Sequence, residues 1–223
     1  MPLVPSQKEI LRSAIDEYEF PAEYFDFVHN IPDPQPSIQA VENKIRVDLK
    51  SGDLERVKNG LLNVLYWGYA QMGIRKTRVS RFREKVTDSR LLAAAQLFQT
   101  SASPPLLQIK KLGLPEFSGM SFVSKVRMFL DPHTSATLDF QIMKIRAECP
   151  YTVLSSIHLS VRSTQIPITA QNAEGYESWC KKMKEISERY FDGRFRAADI
   201  ERGFFQLVQC GKVSLAAEIL NEA

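Results

Sequence analysis

The sequence predicts an all-α protein of about ten helices, and three observations predict it. Apolar residues recur at three- and four-residue spacing along most of the 223 positions, as in Leu54, Val57, Leu61, Val64 and Leu65. Capping residues and prolines punctuate those runs where helices should start and stop. Alternation of apolar with polar residues is confined to Ile157–Thr169, where Ile157, Leu159 and Val161 read as extended chain or a short strand. The hydrophobic share of 44% and charged share of 25% are ordinary for a globular chain, and its length allows a substantial core. One domain spanning 1–223 is expected, with room for two lobes around a cleft.

The elements follow in order. Ser6 reads as the N-cap of a helix to about Tyr18, with Glu9 completing a capping box. Pro21 opens a short aromatic helix, Ala22–Val28, and Ile31–Pro36 is a stiff extended connector. Ser37 caps a helix through Leu49, and Asp53 caps a long one through Tyr69. Val79–Val86 is short, basic and helical, and Asp88 caps the next helix through Phe98. Pro104-Pro105 starts another, ending near Gly113. Asp139 begins a helix through Ile142 and Ile145 that Pro150 stops. Ala173–Phe191, Arg196–Cys210 and Val213–Leu220 close the chain.

Composition narrows the function classes. No apolar run approaches the roughly 20 residues that span a bilayer, and no basic-then-apolar leader precedes Val4, so neither a membrane protein nor a secreted one is expected. Cys149, Cys180 and Cys210 are far apart and odd in number, which argues against a disulfide framework and for a reducing, cytoplasmic setting. His29, His133 and His158 are scattered without metal-ligand spacing, so no metal site is expected. The net charge of +3 permits a basic patch.

One stretch carries chemistry. Leu114-Pro115-Glu116-Phe117-Ser118-Gly119 reads as a tight turn between two helices, and Met120–Leu130 as the second helix. Amides at such a turn and helix N-terminus hold an anion such as a phosphate, which makes Ser118 and Gly119 candidate phosphate contacts. Lys125 lies at the edge of an apolar stripe of Phe122, Val126 and Phe129. It is a candidate amine nucleophile or, alternatively, a lysine snorkelling from a core helix. Asp139 can stabilise a developing positive charge or serve as a helix cap, and the two roles are compatible. Arg75, Lys76, Arg78, Arg81, Arg83 and Lys85 form the densest basic cluster, with Lys110 and Lys111 just before the turn. Arg78, Arg81, Lys110 and Lys111 are candidate phosphate contacts, a solvated charged face being the alternative. Trp67 either lines a base pocket or belongs to the core, with Phe122 as a second pocket candidate. The neighbouring Gly68, costing about 1 kcal/mol in mid-helix, suggests close packing. Lys181, Lys182 and Lys184 alternate with Glu177, Glu185 and Glu188 as a solvated helix face, and Arg196 with Asp199 and Glu201 suits an ion-pair network.

From Leu114 to Ile142 the chain resembles the core of the helix-hairpin-helix DNA glycosylases, specifically a bacterial group similar to 8-oxoguanine DNA glycosylase. The hairpin core covers about 104–150. Leu65-Tyr66-Trp67-Gly68-Tyr69 with Arg78-Val79, and Phe195–Arg202, look like the same group. The usual hairpin is Leu-Pro-Gly-apolar-Gly. Here Glu116 stands at the first glycine, where its charge would repel a phosphate, and the second is replaced by Ser118 or displaced to Gly119. Counting back from Asp139 at the family spacing lands on Met120, and Lys125 lies five residues later, about 140° around the helix.

The resemblance implies an all-α glycosylase-like domain and a damaged duplex as partner, most simply one bearing 8-oxoguanine. The nucleotide is flipped into a pocket, Lys125 attacks the sugar carbon, and Asp139 stabilises the charge that develops. No cofactor is implied, because the iron–sulfur cluster of some relatives needs four closely spaced cysteines. A monomer working in the cytoplasm, at the nucleoid in a bacterium, is the expectation. A non-catalytic DNA-binding module using the same hairpin is the alternative, and an interaction protein that keeps only the fold is a third.

Overall fold

The computed structural model describes residues 2–159 and 165–223, so Val161 of the alternating segment lies outside the described residues. Eleven α-helices, one short 3-10 helix and one two-stranded sheet form among the described residues, which places the protein in the all-α class. No helix among them is long and apolar enough to cross a membrane. The chain divides into two compact units, Phe20–Asp131 and the discontinuous Met1–Glu19 with Pro132–Ala223.

In the unit Phe20–Asp131, α2 (Ile38–Leu49) and α3 (Leu54–Gly68) start where the sequence predicts. Ser37 Oγ accepts from Ala40 N at 3.2 Å, and Asp53 Oδ1 accepts from Arg56 N at 2.8 Å. The two helices pack together and bury Val41, Ile45, Leu49, Val57, Leu61 and Leu65. The aromatic segment before them is not the expected helix. Glu23–Asp26 is a strand, β1, paired antiparallel with β2 (Ile31–Pro34) in the register Tyr24↔Asp33.

The reason lies on α3. Asn63 Oδ1 accepts from Phe25 N and Asn63 Nδ2 donates to Phe25 O, both at 2.8 Å, while Asn59 Oδ1 accepts from Phe27 N at 2.9 Å. Two amides one helical turn apart thus satisfy an extended backbone, and this outweighs the local pattern. Asn30, at φ +59, turns the chain, and Asp26 Oδ1 accepts from Val28 N and His29 N. Below the hairpin, the Tyr24 hydroxyl donates to Asp48, whose other oxygen accepts from Arg56 Nε and Nη2 at 3.2 Å. Burial, then the Asp48 hydrogen bond, pushes the Tyr24 phenol far above its ordinary range.

Four further helices complete this unit: α4 (Arg75–Lys85), α5 (Asp88–Thr100), α6 (Leu106–Lys111) and α7 (Met120–Leu130). Helix α5 is preceded by an extended Thr87, so Asp88 is its first residue and acts on the helix dipole rather than as the cap. Helix α7 is buried from Val123 to Leu130 and packs against α2, α3 and α6.

In the discontinuous unit, α1 (Pro5–Asp16) packs along α10 (Ala197–Gln209). Pro5 opens α1, so Ser6 lies inside the first turn. The capping contact is Gln7 Oε1 accepting from Val4 N at 2.9 Å. The two helices approach closely at Gly203, where a Cβ would stand 2.7 Å from Ile15 Cγ1 and 2.9 Å from Leu11 Cδ1. Helix α9 (Ala170–Phe191) holds the loop that begins at Pro132. Tyr176 Oη donates to Ala136 O at 2.8 Å, Trp179 Nε1 donates to Thr137 O at 2.9 Å, and Cys180 Sγ accepts from Ala136 N at 3.4 Å. The amides of Ala197 and Ala198 donate to the carbonyls of His133 and Pro132, at 3.2 and 3.1 Å. Helices α8 (Met143–Glu148) and α11 (Val213–Glu222) pack on each other. Val153–Ser156 is a 3-10 helix, and no strand forms in the described part of 157–169, where Ile157, Ile166 and Ile168 are buried.

Candidate functional site

A turn joins α6 to α7 where the sequence places one. Gly113, at φ +63, ends α6 in the left-handed conformation that closes many helices. Leu114 and Phe117 turn inward, and Phe117 N donates to Leu114 O at 3.2 Å. Gly119 then precedes α7 with extended backbone and no side chain to cap it. Ser118 is exposed.

Glu116 is the unusual residue. It takes φ +67, the left-handed region that its glycine counterpart would enter without strain. Its side chain is only 6% exposed. The carboxylate faces α4, where Arg78 Nη1 donates at 2.8 Å and Arg81 Nη1 at 3.4 Å. This hydrogen bond holds the Arg78 guanidinium above its ordinary value. The basic cluster therefore splits. Arg75 donates to Glu23 and stacks on Tyr66, Arg78 and Arg81 meet Glu116, and Lys76, Arg83 and Lys85 are exposed. Lys110 and Lys111 are also exposed, at the end of α6.

A ring of aromatic contacts leads from this ion cluster to Lys125. The Arg78 guanidinium lies 6.0 Å over the Tyr69 ring, Tyr69 lies 4.4 Å from Phe122, and Lys125 Nζ lies 5.5 Å over Phe122. Burial raises the Tyr69 phenol, against the opposing charge of Arg78. Lys125 is 7% exposed, and its Nζ donates to Ser121 O at 3.4 Å. Gly68 makes the room. It is the last residue of α3 rather than a mid-helix one, and a Cβ there would stand 2.6 Å from Phe122 Cε1 and 3.3 Å from Lys125 Cδ. Trp67 is buried between Phe20 and Phe129, with centroids at 4.6 and 5.2 Å. Its Nε1 has no acceptor among the described residues. Met120, the position at the family spacing, is buried core.

Asp139 belongs to the discontinuous unit. Its Oδ1 accepts from Gln141 N at 2.9 Å and Ile142 N at 3.3 Å, so it caps the turn that leads into α8. The helix itself starts four residues later than predicted, at Met143.

Trp67, Phe122, Lys125, Arg78 and Arg81 thus share one unit. Two participants were not singled out from the sequence: Tyr69 as the ring under Phe122, and Glu116 as the partner of the arginines. Glu116 and Arg78 are 38 positions apart, and no local pattern links them. Comparison of the chain with protein-family models, curated proteins and solved structures returned no match.

Proposed function

We propose that this protein is a helix-hairpin-helix DNA glycosylase that excises an oxidised purine, 8-oxoguanine in the simplest case, with Lys125 as the nucleophile. The observation that carries the reading is Lys125 itself. Its ammonium sits nearly buried against Phe122, on the helix that directly follows a hairpin whose turn residue takes a positive φ. The aromatic faces of Tyr69 and Phe122 suit a flipped base.

The chemistry runs as follows. The Lys125 ammonium gives one proton to solvent, its amine attacks C1′ of the flipped nucleotide, and the C1′–N bond breaks with its electron pair leaving on the base, which takes up a proton. Loss of the amine proton and opening of the sugar give a Schiff base. Removal of a C2′ proton then expels the 3′ phosphate.

Borohydride trapping on duplex DNA containing 8-oxoguanine tests this, with wild type compared against Lys125→Gln. The expected result is a covalent adduct that the substitution abolishes. Salt-sensitive binding without base release or adduct would sink the lyase reading for this lesion and leave a DNA-binding module.

A further inference from the structure

We propose that Glu116 is a positioning residue that sets Arg78 and Arg81 as a two-pronged clamp for a phosphodiester of the nucleic-acid backbone. This rests on the proposed function, because it deepens how the same hairpin meets DNA.

The argument begins with strain. A non-glycine residue at φ +67 persists only where its surroundings fix it, and here a nearly buried carboxylate is held by two guanidinium groups. Glycine would serve the turn better, so the side chain has a use beyond the turn. That use is visible on α4. Arg78 and Arg81 stand three residues apart on one helix face, each giving one Nη1 to Glu116. No other acceptor meets either guanidinium among the described residues. Their side chains are 33% and 46% exposed, so the remaining N–H groups have access to solvent.

Charge and shape agree. One carboxylate against two guanidiniums leaves a net positive charge at the hairpin, with Lys110 and Lys111 exposed beside it in the chain. An arginine fork matches phosphate oxygens, and a fork ordered beforehand loses less freedom on binding. Tyr69 steadies Arg78 from the side. The carboxylate that would repel a phosphate from an ordinary hairpin is turned to α4, and the arginines it orders become the contact.

Fluorescence anisotropy with a labelled short duplex, with and without 8-oxoguanine and across a salt series, tests the clamp. Arg78→Ala and Arg81→Ala should each weaken binding to both duplexes alike and reduce the salt slope by about 1. Glu116→Gln is the decisive variant. It adds a net positive charge, so electrostatics alone predicts tighter binding. Positioning predicts binding roughly two- to ten-fold weaker. Glu116→Gly removes the strain and restores the usual hairpin residue, so it should fold and melt normally yet bind less well, as Glu116→Gln does. Tighter binding by Glu116→Gln, or arginine variants with an unchanged salt slope, overturns the clamp while borohydride trapping still stands. A wild type that binds but neither traps nor releases the base leaves the clamp in place and removes the glycosylase reading for this lesion. A wild type that binds neither duplex overturns both.

Discussion

Gly68 sets the narrowest tolerance at the candidate site. A methyl group there would meet the Phe122 ring and the Lys125 stem. Two effects compete in Gly68→Ala. Alanine is about 1 kcal/mol better than glycine within a helix, whereas overpacking costs about 1–3 kcal/mol. The clash wins, because the nearest atom belongs to a ring held by Tyr69 and Phe117 rather than to a free side-chain end. We expect Gly68→Ala to lower stability by about 1 kcal/mol in urea unfolding and to reduce borohydride trapping. Gly68→Ala combined with Phe122→Leu should recover stability, with a coupling beyond the sum of the single changes. Additive effects would show that the two residues do not compete for this space.

At the scale of elements, the parts of the fold that depend on near neighbours were legible. Ser37 and Asp53 cap α2 and α3 as read from the sequence, and the Lys181–Glu185 and Lys184–Glu188 pairs lie on an exposed face of α9. The β1–β2 hairpin was not legible, since its backbone is satisfied by Asn59 and Asn63 from a later helix. Lys125, Phe122 and Trp67 were picked out by type and spacing. The Glu116 contact was hidden because it joins distant positions, and a glutamate in a glycine's place reads locally as a defect.

Helix α10 carries the sharpest pH prediction at this scale. Asp199 accepts from Arg196 N at 3.0 Å and pairs with Arg196 and Arg202, so one carboxylate caps the helix and meets two guanidiniums. Burial pushes its carboxyl up, but the Arg196 hydrogen bond and charge outweigh it, and the net position is below the ordinary range. A carboxyl lowered in the folded state stabilises above its unfolded value of about 4, and that stability is lost as pH falls through the lower folded value. Loss of the charge on this cap and pairing means that Asp199→Asn should cost about 2 kcal/mol near neutrality. In urea titrations the gap between wild type and variant should narrow steadily below about pH 4. A gap constant down to the acid limit would assign the loss to the capping bond alone.

The whole molecule is divided into one continuous and one discontinuous unit. Residues 20–131 are contiguous, whereas the other unit needs both ends of the chain. The contiguous segment has its own core, its β1–β2 network and the cluster around Lys125, so residues 20–131 expressed alone should give a cooperative thermal transition and dispersed amide resonances. A molten, non-cooperative product would show that this core does not close by itself.

The pairing of α1 with α10 has a consequence in time. Leu11 and Ala14 find their cover only after Gly203 and its neighbours are made. At about 5–20 residues per second, α1 leaves the ribosome roughly 10–40 s before its partner exists. Throughout that interval the chain carries an unmatched amphipathic segment, while the intervening unit has time to finish folding. Synthesis of this protein thus includes a period in which α1 waits for the helix that houses it, and a chaperone that holds short apolar stripes has its opening there.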